Sequence, residues 1–165
     1  MERVPDAWVS VSATTRFPRP GEVDGVHYYF LGQDAFDNLA ETGGLLEWAT
    51  YSGNSYGTPL QSVKDHMDQG FQVVLEIDVQ GAFQVKEKIP EAHLVFIAPP
   101  SMQVLEQRLR GRGTETEEVV QRRMQTAQVE MECSARYDYI LTNDDLETAC
   151  AELVNYVNEQ AETER

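Results

Sequence analysis

Apolar residues along this chain fall into two alternating kinds of run. Short unbroken stretches rich in β-branched side chains stand at residues 73–77 (VVLEI), 93–98 (HLVFIA) and 137–142 (YDYILT). Their length and composition predict buried strands. Residues 7–12 (AWVSVS) alternate less cleanly and read as a fourth strand. The segments between them carry helix signals. Thr58 followed by Pro59 predicts an N-cap with a first-turn proline, and Gly70 the stop. Ser101, after Pro99 and Pro100, caps a second helix running to Gly111. Thr114 with Glu117 fits a capping box for a third, in which Val120, Met124, Ala127 and Met131 recur at spacings of three and four. Residues 145–162 make a fourth, with Leu146, Ala149, Leu153 and Val157 on one face.

Strand and helix in alternation predict an α/β domain built on a parallel sheet with flanking helices. Residues 26–58 break that pattern. VHYYFL, LLEWATY and NSYGT read as aromatic strands near Gly-rich turns, with one short helix at 34–42. They predict a small mixed α/β lobe inserted into the core.

Charge narrows the partners. The 165 residues carry 28 acids against 13 Lys and Arg, a formal net charge of -15. So acidic a chain lacks the basic face of a general nucleic-acid binder, although a local basic pocket remains open to it. Cys133 and Cys150 fall in predicted helices, at a spacing that fits neither a disulfide framework nor a metal knuckle. His27, His66 and His93 are scattered, and no structural metal is expected. No apolar run reaches the ~20 residues of a membrane span, and the first residues do not read as a signal peptide. A cytoplasmic protein that contacts no membrane is the expectation.

Four stretches bear on chemistry. In SVSATTRFPRPGE, Pro18 and Pro20 fix the backbone on both sides of Arg19, so Arg16 and Arg19 sit on a stiff turn. Such a turn can hold a phosphate by charge-assisted bonds of roughly 1.5–3 kcal/mol each, or the two arginines can pair at the surface with Glu22 and Asp24. In RLRGRGTETEEVVQRR, five of the 13 cations cluster, Arg108, Arg110, Arg112, Arg122 and Arg123, around Gly111 and Gly113. This reads either as a mobile lid over a transferring phosphoryl group or as helix-surface ion pairs with Glu115, Glu117 and Glu118. In VVLEIDVQG, Asp78 stands at a strand end, facing a ligand at the sheet's carboxyl edge or capping the next helix. In EWATYSGNSYGT, Glu47, Tyr56 and Thr58 offer a carboxylate, a phenol and a hydroxyl around tight glycines. A buried carboxylate there can accept the two N–H donors of one guanine edge, which adenine lacks; otherwise Trp48 and the tyrosines are core and Glu47 lies at its rim.

Together these stretches resemble the guanylate kinases. TTRFPRPGEVDGVHYYFL, EWATYSGNSYGT, LEIDVQGA, IAPPS, RLRGRGTETEE and NDDL match that family in its order, over nearly the whole chain. The resemblance implies a P-loop nucleotide-kinase fold in one domain, residues 1–165. Its core comprises 1–12, 73–107 and 124–165, its GMP-binding lobe 13–72 and its arginine-rich lid 108–123. It implies that Ser12, Arg16, Arg19, Tyr28 and Tyr56 hold the GMP phosphate, and that Glu47, Thr58 and Asp78 read the guanine. Arg108, Arg112 and Arg123 are implied to meet the ATP phosphates and the transferring group, with Asn143 near the adenine. The implied activity is that of a nucleotide-binding transferase of purine metabolism: ATP and GMP give ADP and GDP, with Mg²⁺ accompanying ATP.

One part of the pattern is missing. A P-loop reads G-x-x-x-x-G-K-[ST], and no glycine here is followed by lysine. In the family that loop and its strand precede the stretch matching SVSATTR. The expectation is that the first central strand, the P-loop and most of its helix belong upstream of Met1 in a longer protein. The chain alone would then bind GMP while being catalytically impaired, with exposed sheet edges that invite self-association. The alternative is a non-catalytic guanylate-kinase-like binding or scaffold module.

Overall fold

The aromatic segments between residues 26 and 58 pair with one another. β4 (Leu45–Tyr51) and β5 (Asn54–Pro59) run antiparallel, setting Glu47 opposite Thr58 and Ala49 opposite Tyr56. β2 (Ala13–Thr14) pairs antiparallel with β5, and β3 (Tyr29–Phe30) lies parallel to β2, giving the order β3-β2-β5-β4. These strands belong to the first of two compact units, Met1–Ala92; the second is His93–Arg165. The coordinates are a computed structural model that describes residues 3–51, 53–111 and 116–163.

Two apolar clusters hold the first unit. α1 (Gln33–Glu41) drives Phe36, 1% exposed, against Ala13 and Leu45. α2 (Leu60–Asp68) and α3 (Val79–Lys88) bring Val63 and Val85 against Leu46. β1 (Ala7–Val9) pairs in parallel with β6 (Gln72–Val74), and Trp8 stacks on His66 with ring centroids 3.6 Å apart. In the second unit β7 (Val95–Ala98) and β8 (Tyr139–Thr142) form a parallel ladder. α4 (Met102–Gly111), α5 (Glu117–Cys133), a 3-10 turn (Ser134–Arg136) and α6 (Leu146–Thr163) complete it. The α/β reading, the parallel pairing and the mixed lobe are all present. Cys133 and Cys150 are free and half-buried.

Several local expectations change. Thr58 does not cap α2. It is the penultimate residue of β5, fully buried, and its hydroxyl donates to Glu47 instead; Pro59 is the residue at the cap. Gly70 does end that helix region, at φ +85, where its lack of a Cβ removes the left-handed penalty. The strand expected at 73–77 forms only over Gln72–Val74, because its partner among the described residues, β1, stops at Val9. Burial of the strands is also one-sided: Leu141 and Ala98 are buried, while Ile97 and Ile140 are 54% and 47% exposed. Leu146, expected on the apolar face of α6, is exposed. Thr114 of the proposed capping box lies outside the described residues, and α5 starts after Thr116.

Phe36 is the largest fully buried side chain among the described residues, at the junction of α1 and the lobe sheet. Phe36→Ala is expected to cost about 3–5 kcal/mol of stability, read as a lowered urea midpoint of the full chain. An unchanged midpoint would show that this cluster does not hold the lobe.

Candidate functional site

The hydroxyls of the arginine turn act first as fasteners. Thr14, fully buried, donates to the Ser55 carbonyl at 3.0 Å and accepts the Arg16 N–H at 3.1 Å. Thr15 accepts the Ser55 N–H at 2.9 Å. The loop is thereby locked to β5. Arg16 then forks onto Glu22 at 2.8 and 2.9 Å and donates to the Phe17 carbonyl at 2.7 Å. Its guanidinium lies 5.3 Å from the centre of the Tyr28 ring and 5.7 Å from that of Phe30, within cation–π range. Tyr28 in turn meets Tyr56 edge-on at 6.2 Å. Arg19 donates its backbone N–H to Glu22 at 2.6 Å and leaves its side chain exposed. Of the two surface pairings considered from sequence, Glu22 is made; Asp24 accepts the Phe30 N–H instead. Ser12 is half-buried, and its carbonyl accepts from Tyr29.

The donors around Glu22 set its charge. The Arg16 fork, then the Arg19 N–H, pull its carboxyl from the ordinary 4.5 to about 2. The same bond holds Arg16 more firmly protonated, with a smaller contribution from Tyr56.

A second group lies along β4, β5 and α3. Glu47 is only 4% exposed and accepts the Thr58 hydroxyl at 2.6 Å. Asp78 caps α3 by accepting the Gly81 N–H at 2.9 Å. Gly81 also lies against Glu47: a Cβ at this position would clash with Glu47 Oε2. The two carboxylates therefore meet at one glycine. Burial pushes the Glu47 carboxyl above its usual range; the Thr58 hydroxyl opposes this and the nearby Asp78 reinforces it. Tyr56 and Thr58 are two apart on β5 and so share a face. One strand thus carries members of both groups.

In the second unit, Arg108 donates to the carbonyls of Asn143 and Asp144 at 2.6 and 2.9 Å. Arg108 and Asn143 line a cavity of about 220 Å³ together with Ala98, Pro99, Leu105 and Leu109, at the carboxyl ends of β7 and β8. Arg110 is committed to Glu106 and Glu117, so that part of the cation cluster is the helix-surface pairing. Arg123 sits half-buried on α5, and Arg112 lies outside the described residues. Among the described residues no group of three or more His, Cys, Asp or Glu is gathered that could hold a metal ion. No helix of the described residues is long and apolar enough to cross a membrane.

The structure also gathers residues that the sequence reading did not single out. Thr14, Thr15 and Ser55 fasten the turn, and Gly81, Gln84 and Lys88 adjoin β4 around Glu47. The one available signal was polar Gln84 and Lys88 on a helix whose neighbours Ala82 and Val85 are core. Nothing local distinguishes Gly81 from any other glycine early in a helix.

A family model described as Guanylate kinase matches residues 2–160. A guanylate kinase of Synechococcus sp. (strain CC9311) is 53% identical over 157 residues, covering 95% of this chain and 83% of that protein. One of Streptomyces coelicolor is 51% identical over 154 residues, covering 93% and 78%. Among solved structures, guanylate kinase from Anaplasma phagocytophilum superposes with a TM-score of 0.81 at 33% identity, over 97% of this chain and 79% of that one.

The Glu22 pairing fixes a pH response for the turn. A carboxyl whose folded value lies below its unfolded one adds stability above the unfolded value and loses it as pH falls through the folded one. The Arg16 turn is thus expected to hold fully above 4.5 and to loosen as pH approaches about 2. Carboxyl ¹³C titration of Glu22 reads this directly. A midpoint in the ordinary carboxylate range would mean that the fork does not form in solution.

Proposed function

This chain belongs to the guanylate kinase family, and from that premise we propose that it binds GMP in its first unit and carries ATP-facing elements of an ATP:GMP phosphotransferase in its second. The observation that carries the reading is the buried Glu47 carboxylate, seated with Thr58 and next to Asp78. A buried acceptor of this kind suits a ligand that offers two adjacent N–H groups. The guanine edge has them. Adenine instead brings a lone pair, leaving the charge unmatched at a cost of about 1–3 kcal/mol.

The arginine turn supports the phosphate end. Three of Arg16's five N–H groups are spent on Phe17 and Glu22, which holds the guanidinium still for a phosphate between it, Tyr28 and Tyr56. Arg19, exposed beside it, supplies the second charge, and Ser12 a hydroxyl. The same β5 face that carries Tyr56 carries Thr58, so one nucleotide spans the lobe. In the second unit the cavity beside Arg108 and Asn143 suits the adenine end of ATP. Arg108, Arg112 and Arg123, on a lid at 108–123, act on the transferring group. Residues 13–72 form the GMP lobe of a single domain, with 1–12, 73–107 and 124–165 as its core.

Mg²⁺ enters with ATP. Asp78 is engaged as a helix cap, and the described residues gather no three-ligand cage. Asp78 and the other described acids therefore offer no ready-made magnesium cage. The 165 residues contain no G-x-x-x-x-G-K-[ST] sequence. The backbone cradle and lysine that hold the ATP phosphates in P-loop enzymes are thus not supplied by this chain, and turnover by it alone is slow. That absence also favours a second reading, a non-catalytic binding module. The parallel ladders are each two strands wide among the described residues, and their edges offer a route to self-association. The cytoplasm is the compartment this reading implies.

Calorimetry tests the site. GMP is expected to bind at least about tenfold more tightly than AMP, and Glu47→Ala to remove the difference. Equal wild-type affinities would sink the reading. Arg19→Ala is expected to weaken GMP far more than guanosine, and less so in high salt. Transfer from Mg-ATP, followed by ADP release, is expected well below the roughly 1–100 per second of ordinary kinases. Turnover within that range would show that another element supplies the phosphate cradle.

A further inference from the structure

β4 is the outer strand of the lobe sheet, so its outward N–H and C=O groups have no strand neighbour among the described residues. Helix α3 supplies the partners. The Gln84 amide donates to the Trp48 carbonyl at 2.8 Å and accepts the Trp48 N–H at 3.2 Å, much as a neighbouring strand would. On the other side of Glu47 the pairing with β5 slips, Leu45 facing Pro59 and Glu47 facing Thr58, which leaves Leu46 as a bulge. Lys88 Nζ donates to the Leu46 carbonyl. Bulges turn the following side chain, and here the following side chain is Glu47. Between these two ties, Gly81 lies directly under the Glu47 carboxylate. Gly81, Gln84 and Lys88 are spaced three and four apart, hence on one helix face.

We propose that this face of α3 determines which purine the chain accepts: Gln84 and Lys88 hold the backbone on both sides of Glu47, and the bare Cα of Gly81 leaves the seat in which its carboxylate is aimed. The proposal rests on the reading of Glu47 as the guanine acceptor. Gly81 is a positioning residue, not a ligand contact. It is helical, so alanine there strains no backbone and improves helix propensity. The atom an added Cβ would strike first is the far end of the flexible Glu47 side chain, and the Ile77 Cβ stands at 3.3 Å. Gly81→Ala therefore moves the carboxylate and leaves the fold in place.

The test uses the full chain with three readouts. In Gly81→Ala the GMP-over-AMP affinity ratio is expected to fall about tenfold, with a melting temperature no lower than wild type and an unchanged GMP-over-guanosine ratio. Gln84→Met, which keeps length but removes both amide bonds, is expected to lower the purine ratio in the same direction. In a Glu47→Ala background neither variant should change it further. The third readout needs no nucleotide. The Glu47 carboxyl ¹³C signal, assigned by its loss in Glu47→Gln, should shift in both variants. Its midpoint should fall toward the ordinary range as the group leaves its buried place between Asp78 and Lys88. A wild-type preference that survives in both variants, with the Glu47 signal unmoved, overturns this inference and leaves the functional reading standing. A wild type without preference overturns the functional reading, and the purine choice assigned to α3 falls with it.

Discussion

Glu47 is an acid that the lobe keeps away from water. Removing an ionised carboxylate from solvent costs several kcal/mol unless bonds and dipoles replace the lost hydration. The replacements here are few and specific: the Thr58 hydroxyl, the Thr58 backbone, and Lys88 on α3. They do not compensate fully, since burial still holds the carboxyl above its usual range. A ligand with two N–H donors would complete the set. The pairing of β4 with β5, the bulge at Leu46 and the approach of α3 all bear on where this one group sits.

The arginine turn obeys the opposite logic. The Arg16 charge is paired locally with Glu22 and cushioned on Tyr28 and Phe30, so its guanidinium is held in place without a ligand. An anion arriving there meets donors already aimed, with little side-chain entropy left to lose. One end of the lobe is therefore pre-formed, and the other is under-satisfied. That division fits a site in which the turn provides affinity and the carboxylate provides selection.

What the sequence could announce was local. The prolines around Arg19, the apolar runs and Ser101, which does cap α4 by accepting the Val104 N–H, act on near neighbours. Arg16 and Glu22 are six residues apart and were readable as a possible pair. Thr58 misled because its hydroxyl had a better partner than a helix N–H, a carboxylate 11 residues away. The strand at 73–77 was overextended because an extended segment counts as a strand only where a neighbour pairs with it. The Gln84–Trp48 ties bridge 36 residues, and no local pattern encodes them. The resemblance to guanylate kinases implied a site that periodicity alone left open, but the residues it named did not include Gly81, Gln84 and Lys88, which adjoin Glu47.

The most direct test is a crystal structure of the chain with GMP. Both guanine N–H donors are expected about 2.7–3.2 Å from the Glu47 carboxylate, with Gly81 still against its far side and the phosphate between Arg16 and Tyr56. Guanine bound elsewhere, with Glu47 still engaged by Thr58 alone, would contradict it.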